Sequence, residues 1–465
     1  MLLRLRIQGF KNLRDVDIHF GPLTCFVGPN GVGKSNVFDA IQLLRHLADE
    51  EIQKAAESIR QPTEGAFSAL DLITNRDPAT TMRFTADMVV PMQAEDDFGQ
   101  AVAPTASLLT YVVAFRFEPR QNRLVLVEEE LKHHKKGDAA EVLLFPHSRA
   151  FRDSVVHAKR FGTAFVSTSV ENGQARIQLH GDGGSRGRPV AAGPSPRTIL
   201  GGTTSSEYPT VIAARREMAS WHSVHLEPSS LRTPDHFGET RPVDERGAHI
   251  AATLRRLARE RDVHPADGQQ VAEGQLDGLS TVCTEAANQL ARLVRGVTDL
   301  RVRADEARQH HVVEVRFRDS DVWMPPRALS EGTLRYLALV TMQMDQRSSR
   351  VLCIEEPENG IEPGGVPELM ALLRDYAVDP QEPAGDADNP LRQVVLNSHS
   401  RDVVGALNAD EVLFVESVQG PHGRGAQLRS VDFADVWRPD EHRVTHEYFR
   451  QWIGGLPRGQ MQFGG

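Results

Sequence analysis

The sequence predicts an α/β protein: a core on a parallel sheet, with an antiparallel β subdomain and a helical insertion. Three observations lead there. Residues 28–35 read GPNGVGKS between an apolar strand-like run and a helical pattern. The last third alternates strand and helix, as a parallel sheet requires. Between about 80 and 182 the hydrophobic period shortens to two, the mark of half-buried antiparallel strands.

Each element follows from its own pattern. Residues 2–8 and 15–20 alternate apolar and polar, giving two strands around a turn at Lys11–Arg14. The run PLTCFV at 22–27 reads as a buried parallel strand. Val37, Ala40, Ile41, Leu44 and Leu47 place one apolar face on a helix over Ser35–Ala48. TMRFTADMVV, LLTYVVAFRF, RLVLVEEE, EVLLF and ARIQL are the expected antiparallel strands. Residues 182–208, rich in Gly, Pro, Ser and Thr, are expected as a surface loop or disordered link. Helices are expected next at 245–261 and 276–296, and strands at 298–305 and 311–318. Helices at 331–345, after Pro363 and at 401–408 precede the strands VLCIEE, QVVLNS and EVLFVE. No internal repeat or sustained heptad appears, which argues against a coiled-coil arm. The expected units are an N-terminal lobe (1–80), an antiparallel β subdomain (81–182), a flexible loop (183–208), a helical/β insertion lobe (209–325) and a C-terminal lobe (326–465).

Composition narrows the function classes. In 465 residues, 40% hydrophobic and 25% charged, there is enough apolar surface for a sizeable core. No run of 18 apolar residues occurs, and MLLRLRIQGF reads as a strand, not a signal peptide. Three cysteines with no Cys-x-x-Cys pair support neither a disulfide framework nor a structural zinc site. Cys25 and Cys353 sit in apolar strand-like runs and are expected to be buried. A cytoplasmic, reducing setting is expected. The net charge of −10 excludes a uniformly basic nucleic-acid binder, though not a local basic face. The basic residues are 7 Lys and 46 Arg, which we attribute to genome composition.

The loop Gly28–Ser35 fits G-x-x-x-x-G-K-[ST] in the required strand–loop–helix setting. Its glycines let backbone N–H groups converge on phosphate oxygens, and the helix start adds partial positive charge. Lys34 is expected on the β- and γ-phosphates of ATP and Ser35 on Mg²⁺. The strand VLCI ends in Glu355-Glu356-Pro357, on the carboxyl side of the sheet where ligands bind. Glu355 is placed to hold Mg²⁺ and Glu356 to polarise the attacking water.

Lys11-Asn12, GPNGVGKS, Leu329-Ser330-Glu331-Gly332-Thr333-Leu334-Arg335, IEEPENGIEP and LNSHS occur in that order. The set resembles an ABC-type P-loop ATPase head, and more closely the RecF/OLD-like ATPases of bacterial defence and repair systems. The resemblance is strong over 1–50 and 320–416 and weaker over 205–300, where it rests on EPSSLRTP and HIAATLRRL. It implies that Lys11, Asn12, Asn30, Gly31, Gly33, Lys34, Ser35 and Asn36 contact the nucleotide. It also implies that Ser330 and Gly332 act on the nucleotide of a partner head, and that His399 senses the γ-phosphate. Two positions depart from the pattern: Glu355 stands where Asp is usual, and Glu362-Pro363 where His-Pro is common. The Gln-loop residue is not located by the sequence, with Gln61 the one candidate.

OLD-type nucleases carry a Toprim domain after the ATPase. EVLFVE, ending at Glu416, resembles its first strand, but no Asp-x-Asp follows a strand, so no nuclease is expected. Lys132-His133-His134-Lys135-Lys136 is expected as a solvated loop, and His310-His311 as part of an exposed strand. The leading functional expectation is an ATPase that dimerises (or forms a larger homo-oligomer) through its ATP sites. It would regulate a separate effector, a nuclease or toxin, or act on DNA, in antiphage defence; DNA repair of the RecF kind is the alternative. A transporter subunit is disfavoured because SEGTLR replaces SGGQ and a β-rich insertion interrupts the head. The Glu355 departure leaves a non-hydrolysing ATP-dependent scaffold open. No membrane partner is expected.

Overall fold

The computed structural model describes residues 1–60, 67–159, 164–262, 277–347, 350–385, 388–420, 423–432, 437–439, 443–452 and 454. Its centre is a six-stranded sheet in the order Trp221–Val224, Val351–Glu355, Gln393–Ser398, Leu23–Val27, Val412–Gly420, Gly423–Ser430. The first five strands run parallel and the last is an antiparallel edge. Both faces are covered, which is why these strands read as continuous apolar runs. Phe26, Val351, Cys353 and Val395 face a core that includes the helix Lys34–Asp49. Cys25, Leu352, Ile354, Val394 and Leu396 face a second core with the helices Glu331–Met344 and Val366–Tyr376.

The second sheet has eight antiparallel strands, from Val190–Ala191 at one edge to Leu13–His19 at the other. The strand Leu2–Phe10 pairs with both Leu13–His19 and Met82–Val89. The expected boundary at 80 therefore does not separate two sheets: strands on either side of it share one ladder. Buried Gln393 joins this sheet to the parallel one. Its amide donates to Leu2 O and Gly21 O at 2.8 Å each, and its Oε1 accepts from Leu2 N at 3.0 Å.

The expected lobe at 209–325 also begins inside the core. The helix Pro209–Ala219 packs on the helix Lys34–Asp49, and Trp221–Val224 is the edge strand of the parallel sheet. Beyond that strand lies an insertion, with the helices Ile250–Asp262 and Asp277–Leu293 on a three-stranded sheet.

Four local expectations change. EVLLF is not a strand: Ala139–Val142 is helical, and Leu143 and Phe145 bury against Leu3 and Phe151 in a small separate core. Alternating apolar residues there are satisfied by local packing, without a ladder partner. Residues 183–208 are not a free link. Buried Glu129 accepts the amides of Ile199 and Leu200 at 2.6 and 2.8 Å, and Leu200 and Ala192 are fully buried. Lys132 and His133 belong to the strand Arg123–His133, so only the end of that basic run is a loop. His311 is buried and stacks on Phe237, with ring centroids 4.5 Å apart.

Candidate functional site

The phosphate loop turns tightly because two of its glycines hold positions closed to other residues. Gly28 has φ 154°, and a Cβ there would lie 2.2 Å from Val415 O. Gly33 has φ 117°, and a Cβ there would lie 2.6 Å from the Asn12 amide. The loop feeds into the helix Lys34–Asp49, whose start has no side-chain cap and no acid in its first turn. Lys34 is buried, and its Nζ donates to Gly28 O at 2.6 Å and Pro29 O at 2.8 Å. Burial lowers its pKa, so the ammonium would gain from an anion placed over the loop. Asn30 and Gly31 are exposed at the crest.

Lys11, Asn12 and Asn36 brace this loop. Asn12 donates to Val32 O at 2.9 Å and accepts from the Asn36 amide at 2.7 Å. Lys11, at φ 48°, reaches Asp39 and Arg60 O, each at 2.7 Å. In this structure the Lys11 and Asn12 side chains hydrogen-bond to protein groups.

The acid pair closes over the loop. Ser35 Oγ donates to Glu355 Oε2 at 2.9 Å, joining motifs 320 residues apart. Arg60, with no motif to announce it, pairs with the other oxygen of Glu355 at 2.9 Å and with Asp39 at 2.9 Å. It also donates to Ser35 O at 3.1 Å. Gln61 lies outside the described residues.

Glu356 has φ 47°, an unfavourable conformation for a non-glycine residue and one found at functional sites. Its amide donates to Asn397 O at 3.1 Å. Its carboxylate meets His399 Nδ1 at 2.9 Å and accepts from Asn359 at 2.9 Å. His399 is exposed just beyond the strand Gln393–Ser398. Glu358 stands behind this pair and accepts a hydrogen bond from Ser398 Oγ. Burial pushes its pKa above the usual carboxylate range; the Ser398 hydroxyl opposes that shift and the charge of Glu356 adds to it. Sequence reasoning missed Arg60, Asn397 and Glu358. Glu358 and Asn397 had a signal, their places inside IEEPENG and LNSHS; Arg60 had none.

The structure therefore brings together Lys34, Ser35, Glu355, Glu356 and His399. It keeps Ser330 and Gly332 out of that hydrogen-bonded cluster. Ser330 is exposed and caps its own helix, accepting from Thr333 N at 3.1 Å. Gly332 backs onto Gly360, whose carbonyl oxygen would lie 2.7 Å from an added Cβ.

The donor set fits a nucleoside triphosphate with Mg²⁺. Loop amides and Lys34 suit phosphate oxygens, and Ser35 and Glu355 offer adjacent hard oxygens. Among the described residues no three His, Cys, Asp or Glu side chains form a metal-binding group, so the nucleotide and water would complete the coordination. No helix among the described residues is long and apolar enough to cross a membrane.

Residues 217–404 match the family model described as "AAA domain, putative AbiEii toxin, Type IV TA system", and residues 1–144 match "AAA ATPase domain". The OLD nuclease of Thermus scotoductus (strain ATCC 700910 / SA-01) is 36% identical over 85 residues, 17% of this chain and 15% of that protein. The DNA replication and repair protein RecF of Corynebacterium jeikeium (strain K411) is 25% identical over 169 residues, 36% of this chain and 38% of that protein. A solved SMC head, bound to the C-winged helix domain of ScpA, aligns over 93% of this chain and 98% of that one at 14% identity and TM-score 0.47. The matches span well under two thirds of the length of these curated relatives.

Proposed function

We propose that this chain, which is similar to the RecF and OLD ATPases over parts of its length, binds ATP with Mg²⁺ and hydrolyses it in a site completed by a second copy. The observation that carries the reading is the Ser35–Glu355 hydrogen bond at 2.9 Å, which closes the phosphate loop against the acid pair. The loop amides and Lys34 would hold the β- and γ-phosphates. Ser35 and Glu355 would hold Mg²⁺, which when bound neutralises charge on the transferring phosphoryl group. Glu356 orients the attacking water and accepts its proton. His399, 2.9 Å from Glu356, would hold that carboxylate in place and sense the γ-phosphate. Ser330, exposed at the start of a separate helix, and Gly332 in the same turn would meet the partner's nucleotide, making the site composite. Glu356→Gln should retain ATP binding and lower turnover by about 10²–10⁴-fold, the range for removing a general base. Unchanged turnover would end the hydrolytic reading and leave the ATP-dependent scaffold.

The finer reading is an ATPase whose dimerisation regulates a separate effector, a nuclease or toxin, or acts on DNA, in antiphage defence. It is supported by the toxin-system description of one matching family and by the OLD nuclease likeness. The RecF likeness favours DNA repair as the second reading. We assign no nuclease to Glu416: it lies in the ATPase sheet and pairs with Arg429 at 2.8 Å. Incubation of the pure protein with Mg²⁺ or Mn²⁺ and plasmid, linear DNA or RNA should leave them intact. Cleavage that survives Glu356→Gln and disappears in Glu416→Ala would overturn that assignment.

A further inference from the structure

The turn after the acid pair is pinned from two sides. On one side it carries the start of the helix Glu331–Met344. The Gly360 carbonyl oxygen would be 2.7 Å from a Cβ on Gly332, and a Cβ on Gly360 would meet the Glu331 carboxyl group at 3.5 Å. On the other side Glu358 accepts from Ser398 Oγ, and that hydroxyl oxygen accepts the Ser400 amide at 2.9 Å. One carboxylate therefore holds, through one hydroxyl, the residues that flank His399. The second Glu358 oxygen, Oε2, is buried with no hydrogen-bond partner among the described residues. A buried polar atom left without a partner costs free energy, and such groups are rare without a role. The His399 ring meets Glu356 at 2.9 Å and is otherwise exposed. Its position thus depends on how firmly the backbone at 398–400 is fixed.

We propose that Glu358 is a positioning residue for hydrolysis: through Ser398 it fixes the strand end that presents His399 to Glu356. The proposal rests on the reading of Glu356 and His399 as the hydrolytic pair. Without the Glu358–Ser398 hydrogen bond, the strand end loses its tie to the turn, and the imidazole no longer holds the Glu356 carboxylate. ATP binding, which uses the loop amides and Lys34, does not involve this tie. The expected signature is a loss in kcat with KM retained.

Steady-state ATPase kinetics on the full chain test it. Glu358→Ala and Ser398→Ala should each lower kcat about ten- to a hundredfold, the scale of a small misplacement of catalytic groups, with KM within about threefold. The double variant should lose no more than the worse single one, because both changes break one tie. Glu358→Gln keeps an acceptor for the Ser398 hydroxyl and should restore kcat to within about threefold of wild type. Wild-type kcat in a folded Glu358→Ala protein, a rise in KM that accounts for the whole loss, additive losses, or a Gln variant as slow as Ala would each overturn it. If Glu358→Ala fails to fold, Ser398→Ala and Glu358→Gln decide the matter alone. Glu356→Gln is assayed alongside. If it keeps turnover, the underlying reading fails; if it loses turnover while Glu358→Ala does not, only the role of Glu358 fails.

Discussion

Two helix starts in this molecule carry the residues expected to meet a nucleotide, and the chain finishes them differently. The helix Lys34–Asp49 begins at Gly33 with no side-chain cap and no acid in its first turn. The helix Glu331–Met344 begins at Ser330, whose hydroxyl caps Thr333 N, and carries Glu331 in its first turn. An uncapped start leaves N–H groups and partial positive charge for an anion. A capped start has already satisfied part of that demand. The first is walled in by Asn12, Glu355 and Arg60. The second is open at Ser330. The difference teaches that the phosphate loop leaves its amides free inside walls of this chain's own residues, whereas the Ser330 start is an exposed surface, as our proposal of a composite site requires.

The comparison can be broken at either half. The largest effect on binding is expected from Lys34→Ala, which removes the one buried ammonium of the loop. ATP affinity should fall about a hundredfold, about 2.8 kcal/mol at 1.4 kcal/mol per tenfold, as read by calorimetry or nucleotide fluorescence. Equal affinity in the variant and wild type would remove the phosphate-loop assignment. Ser330→Arg probes the other half. ATP binding to one head should stay within about threefold, while turnover falls at least about tenfold because an arginine blocks closure. Mixing Ser330→Arg with Glu356→Gln should recover part of the activity, since one of the two composite sites then has both intact halves. Full activity from a strictly monomeric preparation would end the composite picture.

The smallest effect concerns Arg60, which is half exposed and pairs with Glu355 at 2.9 Å. An ion pair this open contributes up to about 1 kcal/mol. Removing it in Arg60→Ala frees a carboxylate oxygen of Glu355 for the cation. The Mg²⁺ concentration for half-maximal ATPase should fall, by about fivefold at most. A rise instead would show that Arg60 helps to build the cation site and does not compete with it.

Much of this site could be read directly from the residues. The loop 28–35 needs glycine where the backbone turns and Lys-Ser where the helix begins, and these are local demands. The acid pair and His399 each end an apolar strand, and parallel strands send such ends to one edge. Arg60 was not readable, because the Glu355 it meets is 295 positions away and nothing in its own segment marks it.

By itself, the sequence determined the period-based elements, the buried parallel strands and the chemistry of the phosphate loop. Those depend on the residue types within a few positions, through hydrophobic periodicity and backbone sterics. The tertiary structure decided which strands pair and which charges meet. It put residues 2–19 into the ladder with 82–89, and it made Trp221–Val224 an edge of the core sheet. It left EVLLF outside any sheet and anchored 199–200 on the buried carboxylate of Glu129. The reason is physical. A period of two says that a segment can be a strand, but its partner is chosen by which edge is free and which face needs covering. A polar side chain likewise reveals its role only when folding brings a partner from hundreds of residues away.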